Sequence, residues 1–136
     1  MVLASEVGDF SRFASAEQLM SFFGLVPGCH QSGNSSRRCS ITKAGNSRCR
    51  HVLVEAAWNY RHKPRLSARL KARQRGHDPQ VIAISWKAQH RLHKKFWSLS
   101  ARIPGSKAAV AVARELTGFI WASMRVPSEI AEAKAA

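Results

Sequence analysis

The sequence predicts an all-α fold that is interrupted by one irregular or short β-hairpin segment near residues 28–42. The helical part is predicted because apolar residues recur every three or four positions over residues 47–61 and 79–100. The interruption is predicted because residues 28–46 are polar, rich in Gly, Ser and Asn, and have no helical repeat. The length of 136 residues corresponds to about one domain.

The residues before the polar segment predict the end of a helix, a turn and a second, short helix. Gly8 and Asp9 break the first helix. Ser15 is expected to cap the second helix, with Gln18 three residues later in the capping-box position. This helix is expected to end near Gly24.

After the polar segment, Asn46 is expected to cap a helix over residues 47–61. Its apolar stripe includes Cys49, which predicts a buried thiol. Pro64 ends this pattern, and the basic stretch 65–76 is compatible with a short helix.

The last two helices are predicted over residues 79–100 and 106–126. Asp78-Pro79 is expected to start the first of them, with Pro79 at the first helical position, and Pro127 is expected to end the second. Residues 127–136 contain few large apolar side chains and are predicted to form a flexible tail. The predicted domain therefore covers residues 1–126.

The charge of the chain predicts a polyanionic partner. It contains 22 Lys and Arg against 8 Asp and Glu, which gives a net charge of +14 and a pI near 11.1. Twelve of these cations lie between Arg61 and Arg102, where Asp78 is the one acid. Because a merely solvated surface normally mixes charges of both signs, this region is expected to contact nucleic-acid phosphates.

The sequence argues against secretion, a membrane span and a structural zinc site. It has no stretch of about 18 uninterrupted apolar residues and no signal peptide. An odd number of cysteines is typical of a reducing compartment, so a cytoplasmic protein without a membrane partner is expected. Cys29, Cys39 and Cys49 are ten residues apart, which is not zinc-ligand spacing, so no metal site is predicted.

The polar segment combines hydroxyl groups, glycines and cations. Ser32 precedes Gly33, whose backbone is free to adopt positive φ, and Ser35 and Ser36 are rival hydroxyls. An ordinary surface loop is the alternative interpretation, and the residues alone do not decide. The candidate phosphate-binding residues are Arg37, Arg38, Lys43, Asn46, Arg48, Arg50, Lys87, Arg91, Lys94 and Lys95.

Four side chains outside this segment have two interpretations each. Trp86 and Trp121 are predicted to lie mainly in the core, whereas Trp97, beside Lys94 and Lys95, is left open between core packing and base stacking. Glu55 is predicted to pair with a neighbouring cation such as His51.

Several blocks of the sequence resemble one family. They include Gly24-Leu25-Val26-Pro27, Ser32-Gly33, Ile41-Thr42-Lys43-Ala44-Gly45-Asn46, Glu55-Ala56-Ala57-Trp58, Ile84-Ser85-Trp86-Lys87 and Val112-Ala113-Arg114-Glu115-Leu116. These blocks are similar to the carboxy-terminal domain of transposases of the "IS one-ten" and "IS one-sixteen" insertion-sequence family. The resemblance covers roughly residues 6–126.

The resemblance implies a catalytic role for Ser32. In this family the matching serine is the nucleophile that becomes joined to a DNA phosphate. An amino-terminal RuvC-like domain carries four acidic metal ligands, and this chain, with a helix-hairpin-helix-like start, looks truncated and without that domain. No cofactor is therefore expected on this chain, and Mg²⁺ is expected only with the acidic domain.

The resemblance also implies the partners: DNA at the element ends and the target, a structured guide RNA, and further copies of the protein, in the bacterial nucleoid. The hypothesis is thus a DNA-binding and strand-joining transposase domain that is inactive alone. Two alternatives remain: a non-catalytic DNA- or RNA-binding module or gene remnant, and an unrelated basic protein such as a ribosome-associated factor.

Overall fold

The computed structural model describes the backbone of residues 2–32 and 35–136, and their side chains except those of residues 29–40, 128 and 131. This part of the chain forms six helices and one two-stranded antiparallel sheet. The elements are α1 (Val2–Val7), α2 (Ala16–Phe22), β1 (Pro27–Ser32), β2 (Ser35–Ile41), α3 (Ser47–Trp58), α4 (Ala68–Gln74), α5 (Pro79–Ser100) and α6 (Gly105–Ala135). The predicted mainly helical fold with one short β-hairpin is confirmed.

The helix starts follow the predicted capping residues. The Ser15 side chain accepts the Gln18 N–H at the start of α2. Asn46 accepts the Cys49 N–H at the start of α3, and the Asp78 carboxylate accepts the Gln80 N–H at the start of α5. Each side chain satisfies one of the N–H groups that a helix leaves unpaired at its first turn.

Helix α6 is the central packing element of the fold. It packs against α2, α3, α5 and a 3₁₀ turn at Phe10–Arg12. Its buried face combines small residues with Val112 and Leu116, and small residues let neighbouring helices approach closely. The core residues from the other elements are Val7, Leu19, Phe23, Leu25, Cys49, Leu53, Ala57, Ala88, Leu92 and Phe96.

The buried cysteine is a packing residue. Cys49 is inaccessible to solvent and unpaired, as its apolar stripe predicted. Burial raises the pKa of its thiol, so the reactive thiolate is disfavoured.

Of the two tryptophans that were predicted to lie mainly in the core, one does not. Trp86 is 42% exposed and so is not a core residue, because its position on α5 faces away from the buried Ala88 and Leu92. Trp121 does pack against the core, and its Nε1 donates to the Phe13 carbonyl at 3.1 Å.

Helix α6 also continues through Pro127, which was expected to end it. A proline inside a helix removes one backbone hydrogen bond and costs about 3 kcal/mol. Contacts on both sides of Pro127 offset this cost: Val126 is buried, and Arg125 lies over the Trp121 ring and pairs with Glu129. The domain boundary after residue 126 and the flexible tail stay predictions.

Candidate nucleic-acid interface

The β-hairpin is tied to the helical core at its base. The Thr42 N–H donates to the Val26 carbonyl at 3.0 Å, and the Lys43 N–H donates to the Gly24 carbonyl at 3.2 Å. The Asn46 N–H donates to the Phe22 carbonyl at 3.0 Å. These bonds continue the antiparallel pairing from the strands to the first turn of α3.

Two glycines make this tight approach possible. Gly24 and Gly45 both have positive φ, at 68° and 145°. A Cβ atom on Gly45 would lie 2.3 Å from the Phe22 carbonyl oxygen, which is closer than atoms can pack. Backbone geometry therefore explains why the sequence blocks 24–27 and 41–46 contain these glycines.

Three predicted phosphate ligands are engaged in holding this base together. Arg50 donates from Nη1 to the Phe23 carbonyl at 3.1 Å. The carboxylate of Glu6 on α1 accepts a hydrogen bond of 2.8 Å from Asn46 Nδ2 and pairs with Arg48 Nη1 at 3.2 Å. Arg48 remains largely exposed, whereas Asn46 and Arg50 are half-buried.

The hairpin holds Ser32 at its far end. Ser32 is the last residue of β1 and lies opposite Ser35, the first residue of β2. Arg37 and Arg38 lie opposite His30 and Cys29 farther down the ladder. The side chains of Ser32, Arg37 and Arg38, and the whole of Gly33, lie outside the described residues.

A groove lies beside the base of the hairpin. Its volume is about 980 Å³, and its floor is apolar. The lining residues come from α2, the hairpin base and the facing ends of α5 and α6: Glu17, Met20, Leu25, Pro27, Ile41, Lys43, Lys95, Ile103, Ser106, Lys107, Val110, Ala111, Arg114 and Glu115. Lys43 is thereby brought together with Lys95, whereas sequence reasoning missed Lys107 and Arg114 because their helix is otherwise apolar.

Glu115 neutralises two of the predicted phosphate ligands. It accepts hydrogen bonds from Arg91 Nε and Lys95 Nζ across the contact of α5 with α6. Burial acts to raise the pKa of Glu115, but the hydrogen bonds and charges of Lys95 and Arg91 outweigh it and lower that pKa below its ordinary value. The sequence offered one sign of this pairing, because Glu115 is the one acidic residue between Asp78 and Glu129.

Replacing Glu115 by Gln is expected to lower the free energy of unfolding at pH 7 by about 1–2 kcal/mol, since two cationic donors lose the negative charge of their shared acceptor. A carboxylate with a lowered folded-state pKa stabilises above its ordinary value of 4.5, and this contribution is lost as the pH falls through the folded value. The difference between wild type and E115Q in urea unfolding should therefore shrink between pH 7 and pH 3. E129Q, which alters an exposed pair in the same helix, is the control. A difference that stays constant with pH contradicts the assignment.

Most of the described carboxylates contact cations or cap helix starts. Glu6, Glu115 and Glu129 pair with cations, and Glu55 pairs with His51 as predicted, at 3.3 Å. Asp9 and Asp78 accept hydrogen bonds at helix starts. Among the described residues, no three His, Cys, Asp or Glu side chains converge as metal ligands. Two Mg²⁺ ions need closely placed oxygen ligands, and this donor set does not fit them.

The family model described as "Transposase IS116/IS110/IS902 family" matches residues 1–71, just over half of the chain, including the whole hairpin and its base. The chain belongs to the IS116/IS110/IS902 transposase family. The match ends inside α4, so the basic helix α5 and its surroundings lie outside it.

Individual transposase-family relatives extend the similarity. The protein y4qE of Sinorhizobium fredii is 50% identical over 128 residues, which cover 92% of this chain and 32% of that protein. The transposase of insertion sequence IS1533 of Leptospira borgpetersenii is 42% identical over 103 residues, 75% of this chain and 30% of its own length. The transposase of IS1111A of Coxiella burnetii is 42% identical over 53 residues, 39% of this chain and 15% of its own length.

The chain thus spans a third or less of the length of these curated relatives. No solved structure matches it. Within the described residues, no helix is long and apolar enough to cross a membrane.

Proposed function

We propose that this chain is the DNA-binding and strand-joining part of an insertion-sequence transposase, with Ser32 as the nucleophile. The observation that carries the proposal is the position of Ser32 at the far end of a hairpin whose base is locked to the core. A hairpin that is fixed at its base restricts where the backbone of a nucleophile can lie, which lowers the entropic cost of bringing it to the reacting phosphate.

The reaction is a transesterification at a DNA phosphodiester. The Ser32 Oγ forms a bond to phosphorus, the bond from phosphorus to one deoxyribose oxygen breaks, and that oxygen leaves as a hydroxyl group. The serine proton passes to a base. Because a serine hydroxyl is weakly nucleophilic at neutral pH, it needs an activating group that the described carboxylates do not supply. We therefore propose that the chain acts with an acidic domain that holds Mg²⁺.

The cations have two roles in this proposal. Arg37 and Arg38, in the strand opposite Ser32, lie around the reacting phosphate, where positive charge stabilises the developing negative charge. Lys43 lies at the base of the hairpin and binds the DNA backbone farther from that phosphate. Lys87 and Lys94 are exposed on α5 and, among the described side chains, have no ion-pair partner. They hold the DNA backbone and make binding weaker as salt rises. The guide RNA and the assembly of several copies belong to the same proposal.

A covalent-trapping assay tests the function. The chain is incubated with element-end DNA, guide RNA and Mg²⁺, with and without an acidic-domain protein from a related element, and denaturing gels are read for a protein–DNA adduct. The expected result is an adduct only when the acidic domain is present. Mass spectrometry of the nucleotide-bearing peptide should place the link on Ser32.

If no adduct forms with the acidic domain present while salt-sensitive DNA binding persists, the catalytic part of the proposal fails. The chain is then a nucleic-acid-binding module. This alternative is favoured by a specific observation, the twelve cations against one acid over residues 61–102.

A further inference from the structure

Helix α5 carries an exposed aromatic stripe. Trp86 is 42% exposed and Trp97 is 55% exposed, although large aromatic side chains are usually buried. They are eleven residues, or three helical turns, apart and lie on the face opposite the buried Leu92. The exposed His90 lies between them, and its ring stacks edge-on against Trp86 at 4.6 Å.

Exposed lysines flank one side of this stripe. Lys87 and Lys94 lie on the neighbouring row of the helix. Lys87 is three residues before His90, and Lys94 is three residues before Trp97, so each lies next to an exposed ring. Neither has an ion pair within the described part of the chain. The next row contains Arg91, which turns toward Glu115 and α6.

The other side of the stripe is flanked by the basic segment before α4. Trp97 Nε1 donates to the Arg61 carbonyl at 2.9 Å, and the Arg65 N–H donates to Gln89 Oε1 at 3.3 Å. As the segment advances from residue 61 to residue 65, its partners on α5 move back from residue 97 to residue 89. The segment therefore runs antiparallel along α5 and holds the exposed Arg61, Lys63 and Arg65 beside the rings.

We infer that this tryptophan face (Trp86, His90 and Trp97 with the lysines 87 and 94 and the segment 61–65) binds unpaired bases of single-stranded nucleic acid. Two rows of cations with aromatic rings between them match a strand whose phosphates lie at the edges and whose bases stack on the rings. A base-paired duplex hides the flat faces of its bases and offers only its backbone and the edges of the bases. The inference rests on the proposed function, because it requires that the chain binds nucleic acid. It adds that this face binds the single-stranded form.

Charge complementarity favours this occupant over an apolar protein surface. The two exposed tryptophans are three helical turns apart, and the ring that contacts Trp86 is the polar His90, so they form no continuous apolar patch of the kind that docks a protein. Within the described residues, the cations of this face (Arg61, Lys63, Arg65, Lys87 and Lys94) form no ion pair with an acid.

Binding by the full 136-residue chain is measured by fluorescence anisotropy with labelled fifteen-residue oligo-dT and oligo-rU, with a duplex of the same length and with heparin, a polyanion without bases. Trp86→Leu and Trp97→Leu are each expected to weaken single-strand binding roughly 5- to 100-fold. Their binding of duplex and heparin should change less than about twofold, because those ligands offer no free bases to the rings. Tight binding of either the DNA or the RNA strand supports the proposal, and the affinity ratio shows which one the face takes.

Two matched variants separate stacking from local unfolding. Trp97→Phe loses the hydrogen bond to Arg61 but keeps an aromatic ring, so it should keep most of the single-strand affinity. Lys94→Ala should weaken all three kinds of ligand and lower the salt dependence, by about 0.7 in the logarithmic slope for the single strand.

The proposal is overturned if the leucine variants bind single strands like wild type, or if they lose duplex and heparin by the same factor. If wild type binds the duplex but not the single strands, the tryptophan face is wrong and the proposed function stands. If wild type binds none of these ligands, the nucleic-acid-binding part of the proposed function falls as well.

Discussion

Ser32→Ala is expected to reduce the covalent protein–DNA adduct by about 1,000-fold or more, because removing the nucleophile of a covalent mechanism leaves no atom to form the bond. The substitution deletes one oxygen from the end of the hairpin and none of the cations. Affinity for the same DNA should therefore stay within about twofold of wild type. Gel quantification of the adduct, with the acidic domain added, measures the first effect and anisotropy the second.

Ser35→Ala and Ser36→Ala are the matched controls, since both residues lie in the opposing strand of the same hairpin. Each should leave the adduct yield close to wild type. An adduct that survives in Ser32→Ala and vanishes in Ser35→Ala would assign the nucleophile to Ser35 and refute the role given to Ser32.

Gly45→Ala is expected to lower the free energy of unfolding by about 3 kcal/mol or more. Its φ of 145° is in the region that only glycine adopts readily, and the new Cβ would meet the Phe22 carbonyl oxygen at 2.3 Å. Strain and overpacking of this kind each cost about 1–3 kcal/mol. Urea unfolding followed by circular dichroism measures the loss.

Gly76→Ala provides the control for Gly45→Ala. Gly76 also has positive φ, at 81°, but a Cβ on it would have no atom within 4 Å. It should cost only about 1 kcal/mol, the conformational part of the effect. Equal losses in the two variants would show that the close approach of the hairpin base to α2 does not matter for stability.

Local signals predicted much of the helical framework. Ser15, Asn46 and Asp78 cap the helices that were expected to follow them, because a capping bond spans only two or three residues. The helix over 79–100 was predicted from its repeat, but the repeat did not show that Trp86 lies outside the buried stripe. At the position of Trp86, the repeat fits an exposed tryptophan as well as a buried one.

Long-range partners were beyond the reach of sequence reasoning. Asn46, Arg48 and Arg50 were grouped with the phosphate ligands for their chemistry, but their partners Glu6 and Phe23 are 27 to 42 residues away. Their proximity depends on how α1 and α2 pack, which no local pattern shows.

The continuation of α6 through Pro127 was not predicted for a similar reason. A proline is a strong local stop signal, and the contacts that outweigh it come from Trp121, Val126 and Glu129 on both sides of it. The family resemblance was confirmed, whereas the role of Ser32 stays a prediction.

The central position of α6 sets the order in which this chain acquires its structure. Helices α2, α3 and α5 bury their apolar faces largely against α6, which follows all of them in the sequence. Until residues near Leu116 have been synthesised and have left the exit tunnel, the earlier helices lack their common partner. Cooperative folding thus waits until α6 has been made, and nascent chains that stop before α6 expose apolar surface to chaperones and proteases.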